Sequence, residues 1–209
     1  VIRDAAAEGC DALVIECMAI RPDLQRACEQ HIVQATHGVI TNVRPDHLDV
    51  MGPTLADAAS ALAGTVPRQS HLFHAEDAFA SFLAGRARDR SSRCTVASAD
   101  GVTAAEMASF RYVEFPENVA LALAVCAAVG VSRQRALTAM YDVRPDVGAM
   151  TIQHLVEGGR SVAFVNGFAA NDPQSYMRIW ERLDLGSRAD QVVLVFNNRA
   201  DRMHRAKDL

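Results

Sequence analysis

The feature that most constrains the fold is a short apolar run that ends in a cluster of polar side chains. Gly38 to Val43 is β-branched and mostly apolar, which is typical of a strand buried on both faces of a parallel sheet. Pro45 ends the run, because proline has no backbone N–H for a β-ladder. Open α/β sheets bind ligands at the carboxyl ends of their strands, where this chain places Asp46, His47 and Asp49. The same residues also fit a polar loop whose aspartates cap the next helix, so both interpretations stay open.

Further apolar runs in the sequence also end in polar residues. They are Ala12 to Ile15 before Glu16, Ser161 to Val165 before Asn166, and Gln191 to Phe196 before an amide- and arginine-rich turn. Helical stretches separate the runs, such as the alanine-rich segment Val119 to Val129, which Gly130 closes in the usual place for a left-handed residue. Thr54 with Asp57 resembles a capping box and starts another alanine-rich helix. Alternation of strands and helices predicts an α/β fold with parallel sheets.

A change of pattern predicts where the chain divides into domains. The segment Asp142 to Gly148 contains proline and glycine and has no hydrophobic periodicity. We therefore predict one domain over residues 1–143 and a second over residues 144–209. Because the chain begins at Val1 and ends soon after a predicted strand, we expect it to be part of a longer protein.

Composition excludes several classes of function. A formal net charge of −4 and a pI near 6.0, without a basic block, argue against a nucleic-acid partner. Lys207 is the only lysine, so the body of the chain has no catalytic lysine. The five cysteines form no CxxC pair and are typical of small thiols in a reducing compartment. The sequence shows no signal peptide and no apolar run that approaches the roughly 20 residues of a membrane span.

The strand ends together indicate phosphate chemistry assisted by a metal. Glu16 and His47 supply a carboxylate and an imidazole, which suit magnesium or manganese when water and phosphate complete the coordination. Arg199 and Arg202 follow the last predicted strand and could clamp phosphate oxygens with paired donors. Spacing alone does not define the reaction further.

Four segments carry a resemblance to a known family. They are Glu16 to Ala19, Thr41 to Gly52, Asn166 to Pro173, and Asn198 to Arg202. Together they resemble the ATP-dependent ligase subunits of bacterial poly-γ-glutamate synthases, relatives of the Mur ligases and folylpolyglutamate synthase. The resemblance extends over essentially all 209 residues. It implies a partial Mur-ligase-like central domain followed by a partial Rossmann-like α/β C-terminal domain.

The resemblance also implies a reaction and its cofactors. In such ligases ATP phosphorylates the terminal carboxylate of a glutamate chain, and the amine of an incoming glutamate attacks the acyl phosphate. By the same resemblance, Glu16 binds the Mg²⁺ (or Mn²⁺) that bridges the ATP phosphates. His47 is implied to help hold a second metal at the acyl phosphate.

Further binding residues are carried over by the same resemblance. Asn118 is expected to contact adenine. The polar turn of the C-terminal domain is expected to approach the nucleotide through Asn166, Asn171 and Asp172. Three residues after the last strand are expected near the phosphates or the domain hinge: Arg199, Asp201 and Arg202.

The sequence departs from the pattern of these ligases in three places. It has no Gly-rich loop ending in Gly-Lys-Ser/Thr, so we expect the N-terminal part that carries this loop to be missing. No lysine lies between His47 and the second domain to form the carbamylated metal bridge of many Mur ligases. The segment from Asp146 to Thr151 has no arginine to touch phosphate near the start of the second domain.

Two other functions stay open beside ligation. A metal-dependent phosphohydrolase could use His47 with Asp46 and Asp49, and a non-catalytic fragment could only bind partners of a synthase assembly. For the ligase, the expected partners are glutamate, the poly-γ-glutamate chain and membrane subunits of the synthase. The expected location is the cytoplasm, at the inner face of the cell membrane, reached through missing segments or partner subunits.

Overall fold

The computed structural model describes residues 1–145, 148–170 and 173–196. The chain forms two compact units. The first unit consists of Val1–Gly101 and Glu117–Arg133. The second consists of Val102–Pro116 and the chain from Gln134 onwards. The domain division at residues 143 and 144 stays a prediction.

The first unit is built on a parallel sheet of three strands, β1 (His37–Ile40), β2 (His71–His74) and β3 (Arg93–Val96). The strand order is β1-β2-β3, and the register aligns His37 with His71 and His71 with Arg93. Helices precede and connect these strands: α1 (Ile2–Ala7), α2 (Pro22–Ala27) with a π-helical continuation (Cys28–Val33), α3 (Leu48–Met51), α4 (Leu55–Leu62) with a 3₁₀ turn (Ala63–Thr65), and α5 (Ala80–Asp89). A 3₁₀ turn (Ala99–Gly101) follows β3.

Strand β2 lies at the centre of this sheet, and its last three residues are buried. Leu72 packs in a core with Ile40, Val66, Leu83 and Ala87. In β1, Gly38 and Ile40 are buried whereas Val39 is 47% exposed, and alternate residues of a strand point to opposite faces. The expectation of a strand over Gly38 to Val43 that is buried on both faces is therefore wrong: the strand ends at Ile40 and only one of its faces is covered.

Two helix ends lie where nearby residues predict them, at the start of α4 and at the end of the alanine-rich helix before Gly130. The predicted capping box is present at the start of α4, where the Thr54 side chain accepts from Asp57 N and the Asp57 side chain accepts from Thr54 N. Helix α7 spans Pro116–Ala128, and Gly130 follows it with φ of +80°, the left-handed conformation that glycine adopts without strain. These two features confirm the sequence-based expectation.

The second unit contains α6 (Ala104–Ala108), α8 (Arg133–Asp142), β4 (Thr151–Glu157), β5 (Arg160–Asn166) and α9 (Pro173–Arg182), followed by a 3₁₀ segment (Leu185–Gln191). Strands β4 and β5 pair antiparallel, whereas the sequence led us to expect parallel pairing here. The reason is the turn at Gly158 and Gly159, whose φ angles of +57° and +78° suit a two-residue hairpin.

Two predicted strands do not form. Ala12 to Ile15 has no regular structure, and Val14 is 96% exposed. Residues 192–196 likewise form no strand, and Val193 and Val195 are exposed. A strand depends on a neighbour for its backbone hydrogen bonds, and no neighbour pairs with either segment within the described parts of the chain. Within the same parts, no helix combines the length and the apolar character needed to cross a membrane.

Candidate active site

The candidate site begins with the loop that follows β1 at the carboxyl edge of the parallel sheet. Val43 anchors this loop, because its side chain is buried in a small core with Ala58 and Ala59. Leu48, directly after His47, packs against the same core. The apolar residues on both sides of the polar stretch therefore hold it at the edge of the sheet.

His47 has a fixed and unusual position in this loop. Its backbone is left-handed, with φ of +49° and ψ of +38°, and its carbonyl accepts from the amides of Val50 and Met51. A left-handed conformation in a residue other than glycine is uncommon and is held here by the surrounding contacts. The side chain is 25% exposed, and Nε2 lies 3.8 Å from Asp46 Oδ1. An imidazole that is partly open and next to a carboxylate can bind a cation or exchange a proton.

Hydrogen bonds to Glu76 connect the His47 loop with the loop that follows β2. Oε2 of Glu76 accepts a hydrogen bond of 2.7 Å from Val43 N, and Oε1 accepts one of 3.2 Å from Phe79 N. Glu76 is buried and follows β2 by two residues, so it joins the loops after β1 and β2. Glu76 is not among the site residues predicted from the sequence. In the sequence, Glu76 is only an acid just beyond a strand. It becomes informative once the strand order shows that this strand is the neighbour of β1.

His74 lies beneath this junction and is completely buried. Its Nδ1 is 3.1 Å from the carbonyl oxygen of Glu76, whereas Nε2 has no hydrogen-bond partner among the residues that the structure describes. Burial lowers the pKa of His74, which the hydrogen bond to Glu76 and the charges of Glu76 and Asp77 partly oppose. A neutral imidazole thus supports the loop from within the core.

Glu16 lies in the irregular segment that precedes α2, and its side chain is exposed. The predicted strand that should present it at the sheet edge does not form. Within residues 1–145, 148–170 and 173–196, no three or more His, Cys, Asp or Glu side chains are grouped to hold a metal ion. The shared cation of Glu16 and His47 therefore stays a prediction.

The predicted nucleotide contacts lie in both units. Asn118 is exposed in the first turn of α7, and Asn166 is the last residue of β5, where its Oδ1 accepts from Phe168 N at 3.2 Å. Five further predicted residues lie outside the described residues: Asn171, Asp172, Arg199, Asp201 and Arg202.

Comparison with known proteins relates this chain to poly-γ-glutamate synthases. It is 38% identical over 208 residues to the PGA synthase CapB of Bacillus subtilis (strain 168), covering 99% of this chain and 53% of that protein. It is 39% identical over 208 residues to the capsule biosynthesis protein CapB of Bacillus anthracis, covering 99% of this chain and 45% of that protein. Residues 152–209 match the family model of the poly-gamma-glutamate synthase CapB C-terminal domain. This chain is thus similar to CapB proteins along almost its whole length.

The similarity to CapB confirms the family resemblance drawn from the sequence motifs. The chain spans about half the length of these curated CapB relatives. Among solved structures, that of E. coli FolC in complex with DHPP and ADP matches with a TM-score of 0.56 and 21% identity. The match covers 80% of this chain and 40% of FolC. It confirms the predicted α/β, Mur-ligase-like fold.

Proposed function

We propose that this chain is part of an ATP-dependent ligase that joins glutamate units through their γ-carboxylates. The observation that carries the proposal is the His47 loop, held at the carboxyl edge of a parallel sheet in a chain similar to CapB over 99% of its length. Because the chain spans about half of those relatives, the activity is proposed for the complete gene product. In this proposal the chain is inactive by itself, because it contains no Gly-rich loop of the kind that cradles a triphosphate.

In this proposal Glu16 and His47 hold a divalent cation, Mg²⁺ or Mn²⁺. Two protein ligands suit a cation that keeps several waters and takes its other oxygens from phosphate. The partly open imidazole of His47 and the exposed carboxylate of Glu16 are chemically suitable donors for this purpose. When bound, the cation would neutralise charge that builds up on phosphate oxygens.

The proposed reaction has two steps. A carboxylate oxygen of the glutamate chain attacks the γ-phosphorus of ATP, and ADP leaves. The amine of the incoming glutamate then attacks the acyl carbon, phosphate leaves, and the amine loses a proton as the amide forms. The left-handed loop with His47 would position the reacting carboxylate, and preorganised groups of this kind lower the barrier because they need not reorient during reaction.

Nucleotide contacts are proposed from Asn118 and Asn166, together with Asn171, Asp172, Arg199, Asp201 and Arg202. The solved complex of FolC with ADP supports a nucleotide as a ligand of this fold. We assign the contacts to a partial central domain (1–143) and a partial C-terminal domain (144–209). We further propose that membrane subunits of the synthase bring the complete protein to the inner face of the membrane.

Glutamate-dependent consumption of ATP tests the proposal on the complete gene product. We expect His47→Ala to abolish this activity with little loss of stability, because the side chain lies on a loop and is partly exposed. The matched control is His31→Ala, which removes an exposed histidine on the π-helical turn and should retain wild-type activity.

Wild-type turnover by His47→Ala would remove His47 from the mechanism. Release of phosphate that is unaffected by glutamate would instead identify a phosphohydrolase. Binding of synthase subunits without any nucleotide affinity would identify a non-catalytic partner.

A further inference from the structure

Arginine side chains gather at the amino edge of the parallel sheet. Parallel strands all begin at one edge, so this edge is opposite to the one where His47 follows β1. We call this group the arginine rim. It consists of Arg26, Arg68, Arg86 and Arg90.

Backbone contacts bring the rim together from distant parts of the sequence. Arg90 Nη1 donates to Val66 O at 2.6 Å, and the carbonyl of Arg90 accepts from Gln69 N at 3.0 Å. These bonds place Arg68 beside Arg90. Arg26 lies close to Gly64, which belongs to the turn that leads to Val66. A Cβ atom built on Gly64 would be 3.5 Å from Cβ of Arg26.

The rim has few acids to balance its charge. Arg86 pairs with Asp89 at 3.8 Å, whereas Arg26 and Arg68 are exposed and form no ion pair with any acid of the described residues. Glu29 is the acid that faces Arg90, but it is buried and its Oε1 accepts from Ala35 N at 3.0 Å.

The pKa of Arg90 shows the same excess of positive over negative charge. Burial lowers the pKa of Arg90 most, and the like charges of Arg86, Arg68 and Arg26 lower it further, against the single opposing effect of Glu29. In a chain with formal net charge −4, a local concentration of positive charge around a half-buried guanidinium is unfavourable until an anion approaches.

We propose that the arginine rim binds the carboxylates of a poly-γ-glutamate chain away from its reacting end. This inference rests on the proposed function, which makes that polymer the product. Guanidinium groups match carboxylates with paired donors. A polymer with a free carboxylate on each unit can offer a separate carboxylate to each arginine, whereas a small anion brings only one charged group. Retention of the chain at the rim would raise the local concentration of its free end.

Binding of a dye-labelled poly-γ-glutamate oligomer, followed by fluorescence anisotropy without nucleotide, tests this proposal. The variant is Arg26→Gln with Arg68→Gln in the complete gene product, since both side chains are exposed and Arg90 supports the fold. At about 0.15 M salt, where charges beyond roughly 8 Å are screened, we expect the dissociation constant to rise by about 2- to 30-fold.

The matched control is Arg3→Gln with Arg21→Gln, which removes two exposed arginines outside the rim and changes the net charge equally. We expect the control to keep the wild-type affinity. Equal affinities of the two double variants would overturn the proposal. So would a rim variant that loses binding to phosphatidylglycerol vesicles while keeping its affinity for the oligomer, because the rim would then serve a membrane surface.

The binding assay is separate from the test of ligation. Rim-dependent oligomer binding in a protein without glutamate-dependent ATP consumption would support the binding site and contradict the proposed function. Active protein with no oligomer affinity would contradict the rim proposal and leave the proposed function intact.

Discussion

Replacement of Glu76 tests whether the His47 loop is held by one buried carboxylate. Glu76→Ala leaves the amides of Val43 and Phe79 without their acceptor. A buried group that loses its hydrogen-bond partner costs about 1–3 kcal/mol. Val43 is 7% exposed, so water cannot replace the acceptor there, whereas Phe79 is only partly buried. We therefore expect the free energy of unfolding to fall by about 2–4 kcal/mol.

Glu76→Gln separates the two bonds. Its amide retains one acceptor oxygen but turns an N–H donor towards the other backbone N–H. We expect about half of the loss, roughly 1–2 kcal/mol. Glu8→Gln, at an exposed glutamate of the same unit, is the matched control and should change stability by less than about 0.5 kcal/mol.

The assay is urea unfolding combined with hydrogen–deuterium exchange across the loop. Glu76→Ala should unfold at lower urea and exchange faster at Val43, and Glu76→Gln should lie between it and the wild type. If Glu76→Ala unfolded at the wild-type urea concentration with unchanged exchange at Val43, Glu76 would not hold the loop.

Two further predictions concern the same sheet. The pKa of His74 in the folded protein lies below its unfolded value near 6.5, so stability should be lost as pH falls from that value through the folded pKa. His74→Gln should reduce this slope in urea unfolding measured at several pH values, and an unchanged slope would contradict the assignment. Gly38→Ala should destabilise by about 1–3 kcal/mol, because its Cβ would lie 2.6 Å from Cδ of the buried Pro67. Gly85→Ala, whose Cβ would have no atom of the described residues within 4 Å, should instead stabilise α5 by about 0.5–1 kcal/mol, and equal effects of the two variants would refute the packing explanation.

Much of the first unit follows from local patterns in the sequence. A strand before the polar loop was predicted and is present, but it spans His37–Ile40 instead of Gly38 to Val43 and is covered on one face only. The capping box of Thr54 and Asp57 and the left-handed Gly130 were also predicted and are present. The capping box and the glycine depend on neighbouring residues alone, through side-chain capping and backbone sterics. The resemblance to poly-γ-glutamate synthase ligases and the α/β fold were also predicted, and the comparisons confirm that resemblance and that fold.

Predictions of strands were less successful, because a strand needs a pairing partner from a distant part of the sequence. Ala12 to Ile15 has the composition of a buried strand, yet it remains exposed because no described strand pairs with it. The antiparallel pairing of β5 depends on β4, which the sequence analysis did not identify. Strand formation is therefore less readable from a single segment than helix capping.

The sequence by itself determined the alanine-rich helix that Gly130 closes, the capping box at the start of α4, and which polar residues follow β1. The tertiary structure alone decided that Glu76 joins two loops 33 residues apart and that Arg26, Arg68 and Arg90 share one edge of the sheet. The physical reason is that capping and periodicity act over a few residues, whereas a buried carboxylate or a group of charges acquires its partners only when strand order brings distant segments together.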